Sequence, residues 1–107
     1  MFYRKNDSGY RELLDGVRMK ALVHGERSLL SEFRLEKGRR LPLHRHLHEQ
    51  TGYLVSGRIK VIVENETFEA GPGDAWSIPG DVDHGAETLE DSVVVEVFSP
   101  VREDYLP

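Results

Sequence analysis

The chain has 107 residues, 14 basic against 19 acidic side chains, a net charge of −5 and no cysteine. That length predicts one small domain burying only about two-thirds of its unfolded surface, a size at which a second copy of the chain is a natural partner. The charge balance argues against nucleic acid and anionic membrane surfaces as partners, and the missing thiols exclude disulfides, zinc–thiolate sites and cysteine catalysis.

No apolar run reaches the length of a signal-peptide core or a membrane span, so a cytoplasmic protein is expected. In chain order, Tyr10 to Leu14 predicts at most a short helical turn. Val17, Met19, Ala21 and Val23 then alternate with Arg18 and Lys20, Gly25-Glu26 turns, and Leu29, Phe33 and Leu35 alternate with Glu32 and Arg34. This period of two predicts a β-hairpin, with His24 as a solvated strand end. Glu36-Lys37-Gly38 turns into the segment His44-Arg45-His46-Leu47-His48-Glu49-Gln50. Strands follow at Tyr53–Val55, up to Gly57, and at Ile59–Val63, returning towards Asn65-Glu66. After Thr67 and Phe68 comes the breaker Gly71-Pro72-Gly73, then Ala75 to Ile78, the Pro79-Gly80 turn, and a last strand from Ser92 to Phe98. Many short strands with close turn signals predict an all-β sandwich or barrel, with no linker or repeat dividing residues 1–107.

The histidines carry the chemistry. If His44 and His46 lie on a strand, alternation puts both imidazoles on one face, and the return through Pro79 brings His84 against them. Imidazoles joined by the Gln50 amide oxygen suit a divalent first-row transition ion better than magnesium or calcium, which prefer all-oxygen shells. A solvated strand face is the plainer reading of alternating histidines. Against it, four of the five histidines fall in two segments bounded by glycine and proline. His48 or Glu49 can stand in for Gln50 as the fourth ligand.

On the last strand Val94, Glu96 and Phe98 share one face and Val93, Val95 and Val97 the other, which sets Glu96 among apolar residues. An ion pair or an exposed edge explains a lone glutamate there. A cavity-facing acid/base group is the functional explanation. Trp76 reads as core or dimer interface, and Gly85 as a point of close strand approach.

Gly38, five residues, His44-x-His46, three residues, Gln50, six residues and Gly57 resembles the first cupin motif. Gly73, five residues, Pro79, Asp81 and His84 resembles the second, the pair covering roughly residues 38–57 and 73–88. The resemblance implies a cupin double-stranded β-helix, or jelly-roll barrel, with metal ligands at His44, His46, Gln50 and His84. Gln50 replaces the usual glutamate, Asp81 stands where the motif usually has glycine, and Thr88 replaces a common asparagine. A neutral amide leaves the ion's charge less compensated, moving Lewis-acid chemistry ahead of oxygen activation.

The segments HRHLHEQ, DVDHG and VEVFSPVREDYL are similar to small bacterial cupins of the KdgF type. That similarity implies metal-assisted ring opening of 4,5-unsaturated uronate monosaccharides from pectin or alginate to linear 4-deoxy-5-keto-uronates. Its acidic residue falls on Glu96, a glutamate here where the family has aspartate, its aromatic residue on Phe98 and its arginine on Arg102. Glu96 would move a proton, Phe98 would wall the sugar ring, and Arg102 would pair with the carboxylate of an anionic sugar acid. Nickel, zinc, iron, manganese and copper are all open as the metal. A metal-dependent cupin dioxygenase or a non-catalytic small-molecule-binding cupin are the alternatives.

Overall fold

The computed structural model describes residues 2–107. The first expected hairpin forms from β2 (Val17–His24) and β3 (Leu29–Leu35), paired antiparallel with Met19 opposite Phe33. The inward side chains of β3 alternate strictly with half-buried ones, as the sequence pattern requires. Tyr10 to Leu14 is not helical. Arg11–Leu14 instead forms β1, which adds to β2 with Arg11 opposite Met19. The reason is local: Gly16 takes a positive φ of 75° and folds the chain back at once, so pairing replaces a helical turn too short to nucleate.

Two long strands organise the remainder. β5 (Glu49–Val63) and β8 (His84–Ser99) pair antiparallel along their length, with Gly52 opposite Glu96 and Val63 opposite His84. The separate strands expected around Gly57 are therefore one bent strand, and the last strand starts at His84 rather than Ser92. Both bends lie at the same level. Gly57 has φ 94°, and a Cβ there would stand 2.6 Å from Ser92 Cα, so only glycine lets the two strands cross at their kinks. Ser92 Oγ seals the kink by accepting the Arg58 N–H at 3.0 Å and donating to the Glu90 carbonyl at 2.7 Å.

The bends divide the strands between two sheets. The first half of β8 lies between β4 (Arg40–His44) and the second half of β5, which pairs onward with β6 (Glu66–Ala70). The second half of β8 lies between β3 and the first half of β5, which pairs onward with β7 (Ala75–Ile78). The result is a jelly roll whose sheets stay open at their outer strands, rather than a closed barrel. Met19, Leu29, Leu54, Val94 and Phe98, each at most 2% exposed, fill the space between the sheets. Gly85 does admit a close approach: a Cβ there would lie 2.6 Å from the Leu41 carbonyl oxygen. No helix among the described residues is long and apolar enough to cross a membrane.

Candidate functional site

β4 ends at His44, which lies opposite His84, the first residue of β8. His46 lies beyond the strand end, in the loop before β5, so strand alternation alone does not set its direction. The loop is tied instead by the Asp81 N–H, which donates to the His46 carbonyl at 2.7 Å. Asp81 makes that bond at φ 60°, a left-handed conformation that aspartate tolerates and glycine prefers. The departure from glycine at this position thus keeps the backbone geometry. Outside the cluster, Arg45 Nε donates to Asp83 Oδ1 at 2.8 Å, a surface pair bridging the same two segments.

His44, His46 and His84 offer nitrogen atoms that all lie within 4.8 Å of one another. Each ring is oriented by its own backbone. His44 Nδ1 faces the Pro42 carbonyl at 2.8 Å, His46 Nδ1 the His48 carbonyl at 2.9 Å, and His84 Nδ1 the Val82 carbonyl at 2.8 Å. A carbonyl only accepts, so each Nδ1 carries the proton and each Nε2 keeps a bare lone pair. His84 Nε2 is buried with no hydrogen-bond partner among the described residues.

Gln50, 7% exposed, completes the arrangement. Its Nε2 donates to Glu96 Oε2 at 2.7 Å, which turns Oε1 towards His46 Nε2 at 2.9 Å. Two lone pairs then face each other with no proton between them. Both that contact and the orphaned His84 nitrogen are what a bound cation would resolve, so the residues fit a metal ion. His48 is not part of the cluster. Its ring stands 5.6 Å from that of His46, and its contribution is the carbonyl that orients His46.

Electrostatics favour the neutral imidazoles that ligate metals. Burial, with help from the Arg102 charge and His84, lowers His46 to about 4, and burial likewise lowers His84. Burial acts oppositely on the Glu96 acid, raising it to about 8 against the opposing pull of Gln50, Arg102 and the Trp76 indole N–H.

The cluster opens on a cavity of about 60 Å³ lined by His44, Gln50, Trp76, His84, Glu96 and Arg102, with Phe98 and Tyr105. That exceeds the roughly 10–15 Å³ one water needs, so the cavity has room for more than one water beside its polar groups. Arg102 reaches it from the tail, its guanidinium 3.9 Å from the Tyr105 ring centroid and 5.3 Å from that of Phe98, with Nε donating to Asp104 Oδ1 at 3.3 Å. Phe98, 1% exposed, lies beneath His46 at 5.9 Å between ring centroids. The residues read from the sequence therefore meet around one space.

Tyr105 and Gly52 were not legible as site residues. Tyr105 sits in a single 3₁₀ turn, Glu103–Tyr105, in a tail without periodicity. Gly52 signalled itself only as a glycine in a strand interior. Trp76 does pack against the edge of the core, and it also lines the cavity.

The cupin-domain family model matches residues 31–99. The pectin degradation protein KdgF of Dickeya dadantii (strain 3937) is 29% identical over 107 residues, 98% of this chain and 97% of that protein. The structure of KdgF from Halomonas sp. superposes with a TM-score of 0.93 at 32% identity, covering 99% of this chain and 100% of the other. An RmlC-like cupin from Shewanella frigidimarina NCIMB 400 follows at TM-score 0.87 and 26% identity, with 99% and 100% covered. Motifs, jelly roll, histidine cluster and full-length similarity converge: the chain belongs to the cupin family, as a small cupin similar to KdgF throughout its length.

Proposed function

We propose that this cupin opens 4,5-unsaturated uronate monosaccharides, products of pectin or alginate breakdown, to linear 4-deoxy-5-keto-uronates. One observation carries the reading: a carboxyl group, Glu96, is linked through the Gln50 amide to the histidine cluster, and a guanidinium, Arg102, faces the same cavity. The similarity to a protein named for pectin degradation supports the substrate class. A divalent transition ion held by His44, His46, His84 and Gln50 Oε1 would supply Lewis acidity towards sugar oxygens.

The protein's own groups perform the rest. Arg102 has Nε committed to Asp104, which leaves its terminal nitrogens to pair with the substrate carboxylate. Tyr105 and Phe98 hold the guanidinium from below, so it presents a fixed edge. In its ionised form Glu96 accepts the proton of the C1 hydroxyl as the C1–O5 bond breaks, giving an aldehyde at C1 and an enolate across C4, C5 and O5. The same proton then passes from Glu96 to C4, and the enolate becomes the 5-ketone. No water is consumed and no nucleophile is required, so the step is an isomerisation.

Gln50 as a neutral donor departs from the two-histidine, one-carboxylate pattern of oxygen-activating iron sites, which supports ring opening over a dioxygenase. The test is decay of the conjugated-alkene absorbance of a 4,5-unsaturated galacturonate. Acceleration by protein loaded with one of nickel, zinc, iron, manganese or copper is expected. A decay rate equal to the spontaneous one with all five metals overturns the proposal.

A further inference from the structure

Gly52 occupies the centre of a cross-strand row. It pairs with Trp76 on β7 and with Glu96 on β8, so the three residues lie side by side on one sheet face. A side chain on the middle residue would separate the outer two. Glycine leaves instead a gap of about two strand spacings, roughly 9.6 Å, between the Cα atoms of Trp76 and Glu96. The indole fills it. A Cβ built on Gly52 would fall inside van der Waals distance of Trp76 Nε1 and Cε2 and 2.5 Å from Cζ2. The N–H edge of the indole therefore lies over Gly52, the residue between Trp76 and Glu96 in the row, and both outer side chains line the same cavity.

The other side of Glu96 is closed to such a role. Ser31 pairs with it on β3, but its Oγ donates to the Glu96 backbone carbonyl at 2.9 Å and leaves the carboxyl group alone. Gln50 lies two residues from Gly52 on the same face of β5 and takes Oε2. The indole N–H is the donor that remains in the row, on the β7 side of Glu96.

We propose that Trp76, seated on the bare backbone of Gly52, donates its indole N–H to the Glu96 carboxyl group and is a positioning residue that holds this group against Gln50 and walls the cavity on the β7 side. The inference deepens the proposed ring opening, but the contact is tested independently of the substrate. It assigns the mid-strand glycine a purpose: any larger residue at position 52 expels the indole from the row.

Trp76 is the only tryptophan in the chain, so its emission reports this site alone. In metal-free protein, Glu96→Gln replaces a carboxyl oxygen with an N–H donor without changing shape, and a shifted emission maximum relative to wild type is expected. An unchanged spectrum overturns the contact, even for a protein inactive on unsaturated uronates, an outcome that removes the proposed reaction alone. In active protein, Trp76→Phe keeps an aromatic ring, though a smaller one, and loses the N–H. Its kcat should fall roughly tenfold, as for loss of one hydrogen bond to a catalytic carboxyl group, with KM and metal content nearly unchanged. The double variant Trp76→Phe/Glu96→Gln should lose no more than Glu96→Gln alone, because both changes disable one unit. Losses that simply multiply, or a Trp76→Phe enzyme with wild-type kcat, overturn the positioning role. Gly52→Ala should reproduce the kcat loss with a red-shifted emission. Should that variant not fold, the Trp76→Phe cycle decides.

Discussion

Gln50 presents opposite ends of one amide to two partners: Nε2 donates to Glu96 at 2.7 Å, and Oε1 faces His46 Nε2 at 2.9 Å. A carboxylate at position 50 has only acceptors, so it could turn an oxygen to the cluster but offer no N–H to Glu96. The replacement of the usual cupin glutamate by glutamine therefore goes with the acidic residue at position 96. The amide couples a histidine cluster that favours lone pairs to an acid that needs a donor.

Gln50→Glu sets this coupling against itself. Two carboxyl groups would stand at hydrogen-bond distance in a buried site, sharing one proton or repelling. Metal-free protein should lose about 1–3 kcal/mol in denaturant unfolding, the cost of leaving a buried acceptor without its donor. Metal occupancy should hold or rise, because the new ligand is negative, while ring opening slows. Wild-type stability in the metal-free variant would show that the Gln50–Glu96 bond contributes little.

His44→Ala, His46→Ala and His84→Ala should each lose most of the bound metal, since removal of one imidazole reduces both affinity and geometry. Elemental analysis of purified protein measures this directly. His48→Ala should retain more metal than any of the three, because its carbonyl, which the substitution preserves, is what reaches His46. Full occupancy in all three cluster variants would mean the ion binds elsewhere.

Position in the sequence made some of this site readable and hid the remainder. The histidine segments were legible because turn residues bracket them, and Glu96 because alternation set a charged residue among Val94 and Phe98. His46 joins the cluster by a route alternation did not describe, since the strand ends at His44 and a loop bond to Asp81 ties the segment that carries the second imidazole. The Gln50–Glu96 bond depends on the register of β5 against β8 across 46 residues, which no local pattern encodes. The same register creates the Trp76–Gly52–Glu96 row. Gly57 read as a strand end because glycine weakens a strand interior and marks turns; here β8 bends with β5, and pairing continues through both kinks.

The outer face of the second sheet should be covered by a second copy of the chain. Tyr53 and Val55 are about half exposed there, and Val95, opposite Tyr53, is only half-buried. An apolar strip of this kind on a small jelly roll marks an interface. Sedimentation at micromolar concentration should give a dimer mass, and Val55→Glu should shift it towards monomer. A monomeric wild type would refute the expectation.

At the opposite edge, Tyr10 donates its hydroxyl to Glu32, and the Arg34 guanidinium lies 4.1 Å from the Tyr10 ring centroid. Burial and the Glu32 hydrogen bond raise the Tyr10 hydroxyl from 10.0 to about 12. The folded state thus favours the protonated phenol, so this contribution to stability is fully present below pH 10 and is lost as pH rises towards 12. The stability advantage of wild type over Tyr10→Phe should stay constant at neutral pH and shrink above pH 10. An advantage that persists unchanged to pH 12 would show that Tyr10 acts through packing alone.

Glu96 and Arg102 lie outside the histidine cluster, and their variants should separate proton transfer from substrate binding. Glu96→Gln keeps the shape of the side chain and an acceptor oxygen for Gln50, so folding and metal content should stay near wild type. If Glu96 carries the proton, kcat should drop by a factor on the order of 10² or more, the usual worth of a general acid/base. Arg102 should behave differently. Its guanidinium pairs with a carboxylate that keeps its charge through the reaction, so ground state and transition state lose the same interaction in Arg102→Ala. The loss then falls on KM with kcat largely retained. Arg102→Lys should recover only part of it, because an ammonium cannot stack on Tyr105 and grip a carboxylate with two parallel donors. A Glu96→Gln enzyme with undiminished kcat would remove the proton-transfer role, and an Arg102→Ala enzyme changed only in kcat would move Arg102 from substrate binding into the chemical step.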